Sequence, residues 1–320
     1  MMILPTKLRL RDGSRKSFGL RFAVFSAAVI LLFSCGTQPQ RNTAAEPRQI
    51  PEKHVAAETP EAIVPLWQPF APEANGALAY FPGKTAQPRL EFHAVRVDLR
   101  APQVRIVTAA GARNKNGGGA LSTKVSGFVR DNNLFAGINA LPFDPVSDRE
   151  GEYRANIGIV ISDGAVLSPP HPVFDALVFY DNTGPAIIPQ SQIISAVHID
   201  YAVGGFYQIL VRGKLGEKTE LNNSRHPRSA AGISADGKYL YLLVVDGRRI
   251  ASVGGTEAET AIILRQLGAW DGINFDGGGS SSLVLRFPDG KIRPVNTPVH
   301  NNIPGLERAV AGCLGIGINP

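Results

Sequence analysis

Apolar residues in this chain alternate with polar ones far more often than they follow helical spacing. Val95, Val97 and Leu99 mark one face of a strand over 89–100, and 103–109 follows Pro102 as its expected hairpin partner. A buried strand over 134–140 carries Asn139 near its end. Hairpins are expected over 157–167, turning at Asp163-Gly164, and over 176–188, turning at 182–184. Aromatic-rich strands over 195–211 break at Gly204-Gly205, and the clearest hairpin spans 230–246 with its turn at Asp236-Gly237. A turn at Pro288-Asp289-Gly290 precedes a terminal strand over 309–318. Helical patterns are few. Ser122 is placed to cap a short helix reaching Asn132, with Val125, Phe128 and Val129 inward. A longer helix covers 257–267, opened by Thr256-Glu257-Ala258-Glu259 as a capping box and burying Thr260, Ile263, Leu264 and Leu267. The fold class is therefore α+β, with a mixed, mostly antiparallel sheet and few flanking helices.

The two ends of the chain differ in character. Residues 22–33 (FAVFSAAVILLF) form an apolar run too short to span a membrane, preceded by a basic stretch ending at Arg21. Leu32-Phe33-Ser34-Cys35-Gly36 looks like a bacterial lipobox, which makes 1–34 a lipoprotein signal peptide and Cys35 the lipidated residue. Residues 35–65 are rich in Pro, Ala, Glu and Gln and suit a flexible tether, leaving 66–320 as the folded domain. The expected location is the bacterial cell envelope, with the lipid holding the domain to a membrane. The chain has 320 residues and a formal charge of +6, but 1–34 alone carries +5 of it. The domain is near neutral, so nothing implies a nucleic-acid partner. Cys313 lies in an apolar run and reads as a buried small hydrophobe; the histidines show no ligand spacing for zinc.

Candidate chemistry centres on 269–285, AWDGINFDGGGSSSLVL. A strand ends at Asp276, three glycines and three serines follow, and a second strand begins at Leu283. Such a turn can aim backbone N–H groups and serine hydroxyls at an oxyanion, although a plain Gly-rich turn has the same outline. Three polar segments precede it in order: Arg225-His226-Pro227-Arg228, Asp246-Gly247-Arg248, and Gly254-Gly255-Thr256 leading to Glu259. Asp246 and Asp276 both end strands, and if those strands lay side by side two carboxylates would meet at one rim, as glycoside hydrolysis requires. Nearby arginines suit a phosphate. Each residue also has a plainer role: Glu259 closing a capping box, Asp246 starting a turn, Arg228 as a surface charge.

The runs RHPRSAAGISADGKYLYLLVVDGRR and SVGGTEAETAIILRQLGAWDGINFDGGGSSSLVL resemble the phosphodiester glycosidase family, strongly over about 225–318 and weakly back to about residue 90. The resemblance implies a hydrolase that cleaves the glycosidic bond of a sugar-1-phosphodiester, with a carbohydrate phosphate as its substrate partner. Its motifs place Asp276, Asp246 and Glu259 as acidic site residues and Arg228, Arg248, Gly277, Gly278, Gly279 and Ser280 around the substrate. Asn296, Arg308 and Asn139 also fall at family positions, while Ala140-Leu141 stands where the family has two glycines. No cofactor follows from this; a divalent cation between the carboxylates is compatible with them but not indicated. The alternative reading is an envelope lipoprotein that binds a glycan or phosphoglycan without turning it over.

Overall fold

The computed structural model describes residues 60–108, 119–147, 149–219 and 223–319. The leader, Cys35, most of the tether and residues 109–118 lie outside them. Every pairing between the strands is antiparallel. The largest sheet has eight strands, ordered Gln68–Pro69, Leu78–Thr85, Leu90–Asp98, Tyr239–Val245, Arg228–Ile233, Asp271–Asn274, Gln208–Val211, Lys214–Leu215. A second sheet runs Ala165–Ser168, Val160–Ser162, Ile199–Gly204, Asp175–Tyr180, Gly184–Pro189. A third runs Ile292–Pro294, Leu283–Arg286, Ala136–Asn139, Cys313–Ile318, Val104–Thr108.

One face of each sheet turns toward a shared core. Val95, Leu242 and Ile273 from the first meet Val160, Leu177 and Val203 from the second and Ile138, Leu283 and Ile316 from the third. In Tyr239–Val245 the alternation is hidden because both faces are covered: Leu240, Leu242 and Val244 face that core, while Tyr241, Leu243 and Val245 face the helix Glu257–Leu267. A strand buried on both sides reads as an unbroken apolar run. The helix reaches the sheet through Leu264, which lies where Gly272 leaves room: a Cβ there would come within 2.9 Å of it. The helix Val125–Asp131 covers the outer face of the third sheet with Phe128 and Val129, against Val284 and the fully buried Cys313. Burial raises the Cys313 thiol pKa far above its ordinary value.

Two local expectations are corrected. Val104–Thr108 is not the hairpin partner of Leu90–Asp98; it pairs with Cys313–Ile318 in the third sheet, where Ile106 reaches the shared core. A hydrophobic strand takes the partner that buries its face, even one 200 residues away. Ser122 does not cap the short helix. Its hydroxyl donates to the Arg149 carbonyl, and Lys124 takes the N-cap position without a side-chain bond.

Candidate active site

The strands Tyr239–Val245 and Asp271–Asn274 run in the same direction, separated by Arg228–Ile233 running against both. Arg228 pairs with Val245 and Ala230 with Asn274, so Asp246, Arg228 and Asp276 emerge at one edge of the sheet. The two aspartate strands are thus not adjacent but one strand apart, about 10 Å between their axes. All four polar segments meet at this edge, around Pro227. A Cβ on Gly247 would come within 2.7 Å of the Pro227 nitrogen, one on Gly254 within 2.8 Å of the His226 backbone, and one on Gly277 within 2.8 Å of the Pro227 carbonyl. His226 and Gly255 exchange backbone hydrogen bonds of 3.2 and 3.0 Å, and the Gly278 N–H donates to the Pro227 carbonyl at 2.8 Å.

Asp276 is held by its backbone, and the residue as a whole is half-buried. Its N–H donates to the Ala140 carbonyl at 2.7 Å, and its carbonyl accepts from Asn139 Nδ2 at 2.6 Å. The Asn139 Oδ1 accepts from Ser229 Oγ at 2.7 Å and from the Ser282 N–H at 3.1 Å, so this side chain clamps the turn. Burial pushes the Asp276 carboxyl up to about 6, against the opposing pull of the Ser280 hydroxyl, Arg308 and the Gly277 N–H. Ser280 Oγ in turn accepts from Arg308 at 3.1 Å, and Arg308 Nε donates to His300 Nδ1 at 3.1 Å.

The glycines of the turn bear both on its own backbone bonding and on two neighbouring arginines. Gly277 gives its N–H to Asp276, Gly278 to Pro227, and the Ser280 and Ser281 amides turn back to Gly277 and Gly278. Backbone donors spent inside the turn are not aimed at an anion. Bare Cα atoms instead admit two guanidinium groups. A Cβ on Gly278, whose φ is +61°, would meet Arg248 at 3.0 Å, and one on Gly279 would meet Arg308 at 2.5 Å and His300 at 3.1 Å. Two arginines thus give the turn a cationic surface.

The other sequence-predicted residues are buried and braced. Asp246, 1% exposed, accepts from Asn296 Nδ2 at 3.2 Å, from the Thr297 N–H at 3.0 Å and from Arg249 at 2.7 Å. Burial pushes its carboxyl up to about 6 despite these bonds. Asn296 ties that carboxylate to the serine turn, donating to the Ser281 carbonyl and accepting from the Leu283 N–H. Arg228 donates to the Gly255 and Ser224 carbonyls and pairs with Glu257 at 3.3 Å. Burial lowers its pKa, while Glu257 and Glu259 push the other way. Glu259, with no exposed surface, closes the capping box with Thr256 and receives both terminal nitrogens of Arg225, at 2.7 and 2.8 Å. Arg248 is exposed, with one hydrogen bond of 3.3 Å to the Val299 carbonyl.

The sequence profile of the phosphodiester glycosidases matches residues 132–317, which contain every residue of this edge. The chain belongs to the phosphodiester glycosidase family. That membership supports a hydrolase-like glycosidase role. The fold resembles the zebrafish N-acetylglucosamine-1-phosphodiester alpha-N-acetylglucosaminidase catalytic domain auto-inhibited by its pro-peptide, with a TM-score of 0.56 and 17% identity over 82% of this chain and 86% of that one. A hypothetical protein from Synechocystis matches with a TM-score of 0.55 and 14% identity over 76% of this chain and 62% of that one. At these identities the likeness is one of fold. The SPbeta prophage-derived uncharacterized protein YomE of Bacillus subtilis (strain 168) is 35% identical over 94 residues, which are 29% of this chain and only 13% of that protein.

Within this family member, sequence reasoning missed His300, Arg249 and Thr297, and gave no role to Arg225. His300 stands in no motif, and only its contact with Arg308 reveals it. Burial and the neighbouring Arg228 and Arg248 lower the pKa of His226, a sign that these cations share one locality. Gly279→Ala is expected to displace Arg308 and lower kcat/KM at least tenfold, because the added methyl occupies the guanidinium's place. Kinetics of the purified variant on a glycosyl phosphodiester check this; unchanged kcat/KM would remove Arg308 from the site.

Proposed function

We propose that this protein hydrolyses the glycosidic bond of a sugar-1-phosphodiester, releasing a free sugar and a phosphomonoester. The observation that carries the reading is the half-buried Asp276, its carboxylate beside Ser280 and Arg308 on a turn that Arg248 also approaches. In this reading Arg248 and Arg308 grip the phosphate oxygens, and Asp276 faces the anomeric carbon. The C–O bond breaks toward phosphate, a leaving group that departs with little protonation, so the main demand is for a carboxylate to stabilise or capture the oxocarbenium-like centre. Water then supplies its hydroxyl to the sugar. Asp246, Glu259, Arg228, Asn139 and Asn296 position the turn and its arginines. The leader and tether support an enzyme anchored by lipid at Cys35 in a bacterial envelope, acting on carbohydrate phosphates there.

The test is a synthetic hexosamine 1-phosphate methyl diester in water enriched in oxygen-18. Cleavage as proposed puts the label in the free sugar and leaves methyl phosphate. Label in sugar-1-phosphate with release of methanol would mean P–O cleavage, and a bound but intact diester would mean a binding protein. Because the reacting form of Asp276 is ionised, kcat is expected to rise with pH through about 6. A rate independent of pH from 4.5 to 7.5 would speak against that role.

A further inference from the structure

Between the Gly184–Pro189 edge of the second sheet and the Gln208–Val211 strand of the first runs a trough with two halves. The half nearer the candidate site, about 490 Å³, is walled by Asp175, Tyr207 and Lys218. The far half, about 550 Å³, passes Arg212 and Asp271 and ends at Asp236 and Gly237 in the turn of the long hairpin. Gln208 and Val211 line both halves, so the two adjoin along the strand. Each half alone is of a size that holds a small ligand. Together they suit something longer.

The near end lies beside the strand that delivers Asp276. The Phe206 N–H donates to the Asn274 carbonyl at 2.8 Å and the Asn274 N–H to the Tyr207 carbonyl at 3.0 Å. Strand spacing and rise then put the Tyr207 backbone about 8 Å from that of Asp276, a separation spanned by one or two pyranose rings. Tyr207 is a fixed wall: Lys218 Nζ sits 4.0 Å from its ring centroid, and Phe174 meets it edge-on at 5.7 Å and 82°. Along the trough, acidic Asp175, Glu217, Asp271 and Asp236 are interspersed with basic Lys218, Lys214 and Arg212, which offers a hydroxylated chain both acceptors and donors with little net charge. An added peptide strand is poorly served here. The edge strand carries Pro185 and Pro189, which lack N–H groups, and the Ile187 carbonyl is already taken by Gln208 Nε2 at 2.7 Å.

We propose that this trough binds successive sugar units of a carbohydrate polymer, so that the substrate is a glycan chain joined through the phosphodiester rather than a small sugar phosphodiester. The inference rests on the glycosidase reading of the Asp276 edge. Its test is binding of unbranched hexose and N-acetylhexosamine oligosaccharides, two to eight units long, to the Asp276→Asn protein. Affinity is expected to rise at least tenfold from the shortest to the longest chains of the preferred sugar. Val211→Trp, which plugs the junction of the two halves from an exposed position, is expected to erase that gain while the shortest chains still bind. If the tryptophan lowers the melting temperature, Tyr207→Ala carries the same comparison. No binding to any oligosaccharide, or a length gain that survives both substitutions, overturns the proposal. Length-dependent binding by a wild-type protein that leaves glycosyl phosphodiesters intact would keep the trough and discard the glycosidase reading; sugar release without length dependence would do the reverse.

Discussion

Asp276→Asn is expected to lower sugar release from a glycosyl phosphodiester by about a thousandfold or more, and to do so without weakening the fold. The substitution removes the negative charge that an oxocarbenium-like centre needs, yet Asn can still accept from the Ser280 hydroxyl that the carboxylate now takes. The stability side follows from the sign of the pKa shift. A carboxyl raised to about 6 in the folded state contributes stability that is fully present below its unfolded value near 4 and is lost as pH rises through 6. At pH 7.5 the charged form therefore costs about 3 kcal/mol, and the neutral amide avoids part of that cost. Urea unfolding at pH 7.5 should place the variant at or above wild type by up to about 1 kcal/mol, with the difference shrinking toward pH 4. A variant that is inactive and also markedly less stable at pH 7.5 would mean that Asp276 is a structural residue of the turn.

The second large effect concerns the buried pair beneath the site. Arg225→Ala is expected to destabilise the protein by about 3–5 kcal/mol, more than Glu259→Ala, at about 2–3 kcal/mol. The order comes from burial. Glu259 has no exposed surface, whereas the Arg225 side chain is 29% exposed. Without the arginine a carboxylate is left uncompensated in the interior; without the glutamate the guanidinium can still reach water, and the loss is the helix cap plus the pair. At roughly 2–4 °C per kcal/mol for a domain of this size, the two melting temperatures should differ measurably. Equal losses, or the reverse order, would show that the charge on Glu259 is not what the pair stabilises.

Much of the local structure was legible in the residues themselves. The helix at Glu257–Leu267 begins at the capping box that Thr256 and Glu259 announce, and the turns at Asp163-Gly164 and Asp236-Gly237 lie inside antiparallel hairpins. Those features depend on neighbours a few positions apart, which a linear pattern records. The partner of Val104–Thr108 was not legible, because any apolar strand can pair with any other and the choice is made by what the far face must cover. The site divides along the same line. Which segments carry chemistry could be read from Asp, Arg and Gly at unusual density; which of their side chains stay open to a ligand could not.

By itself the sequence determined the class of the fold and the polar segments that meet at one edge of the sheet. The three glycines at 277, 278 and 279 already allowed close approach to bare backbone. Only the tertiary structure decided what approaches: the backbone at His226 and Pro227 from one side, the guanidinium groups of Arg248 and Arg308 from the other. It also separated the half-buried Asp276 from the fully buried Asp246 and Glu259. The physical reason is that a side chain's chemistry depends on its solvation and its hydrogen-bond partners. In this protein those partners come from Asn139, Arg225, Asn296, His300 and Arg308, residues the chain brings together only after three sheets have closed on one core.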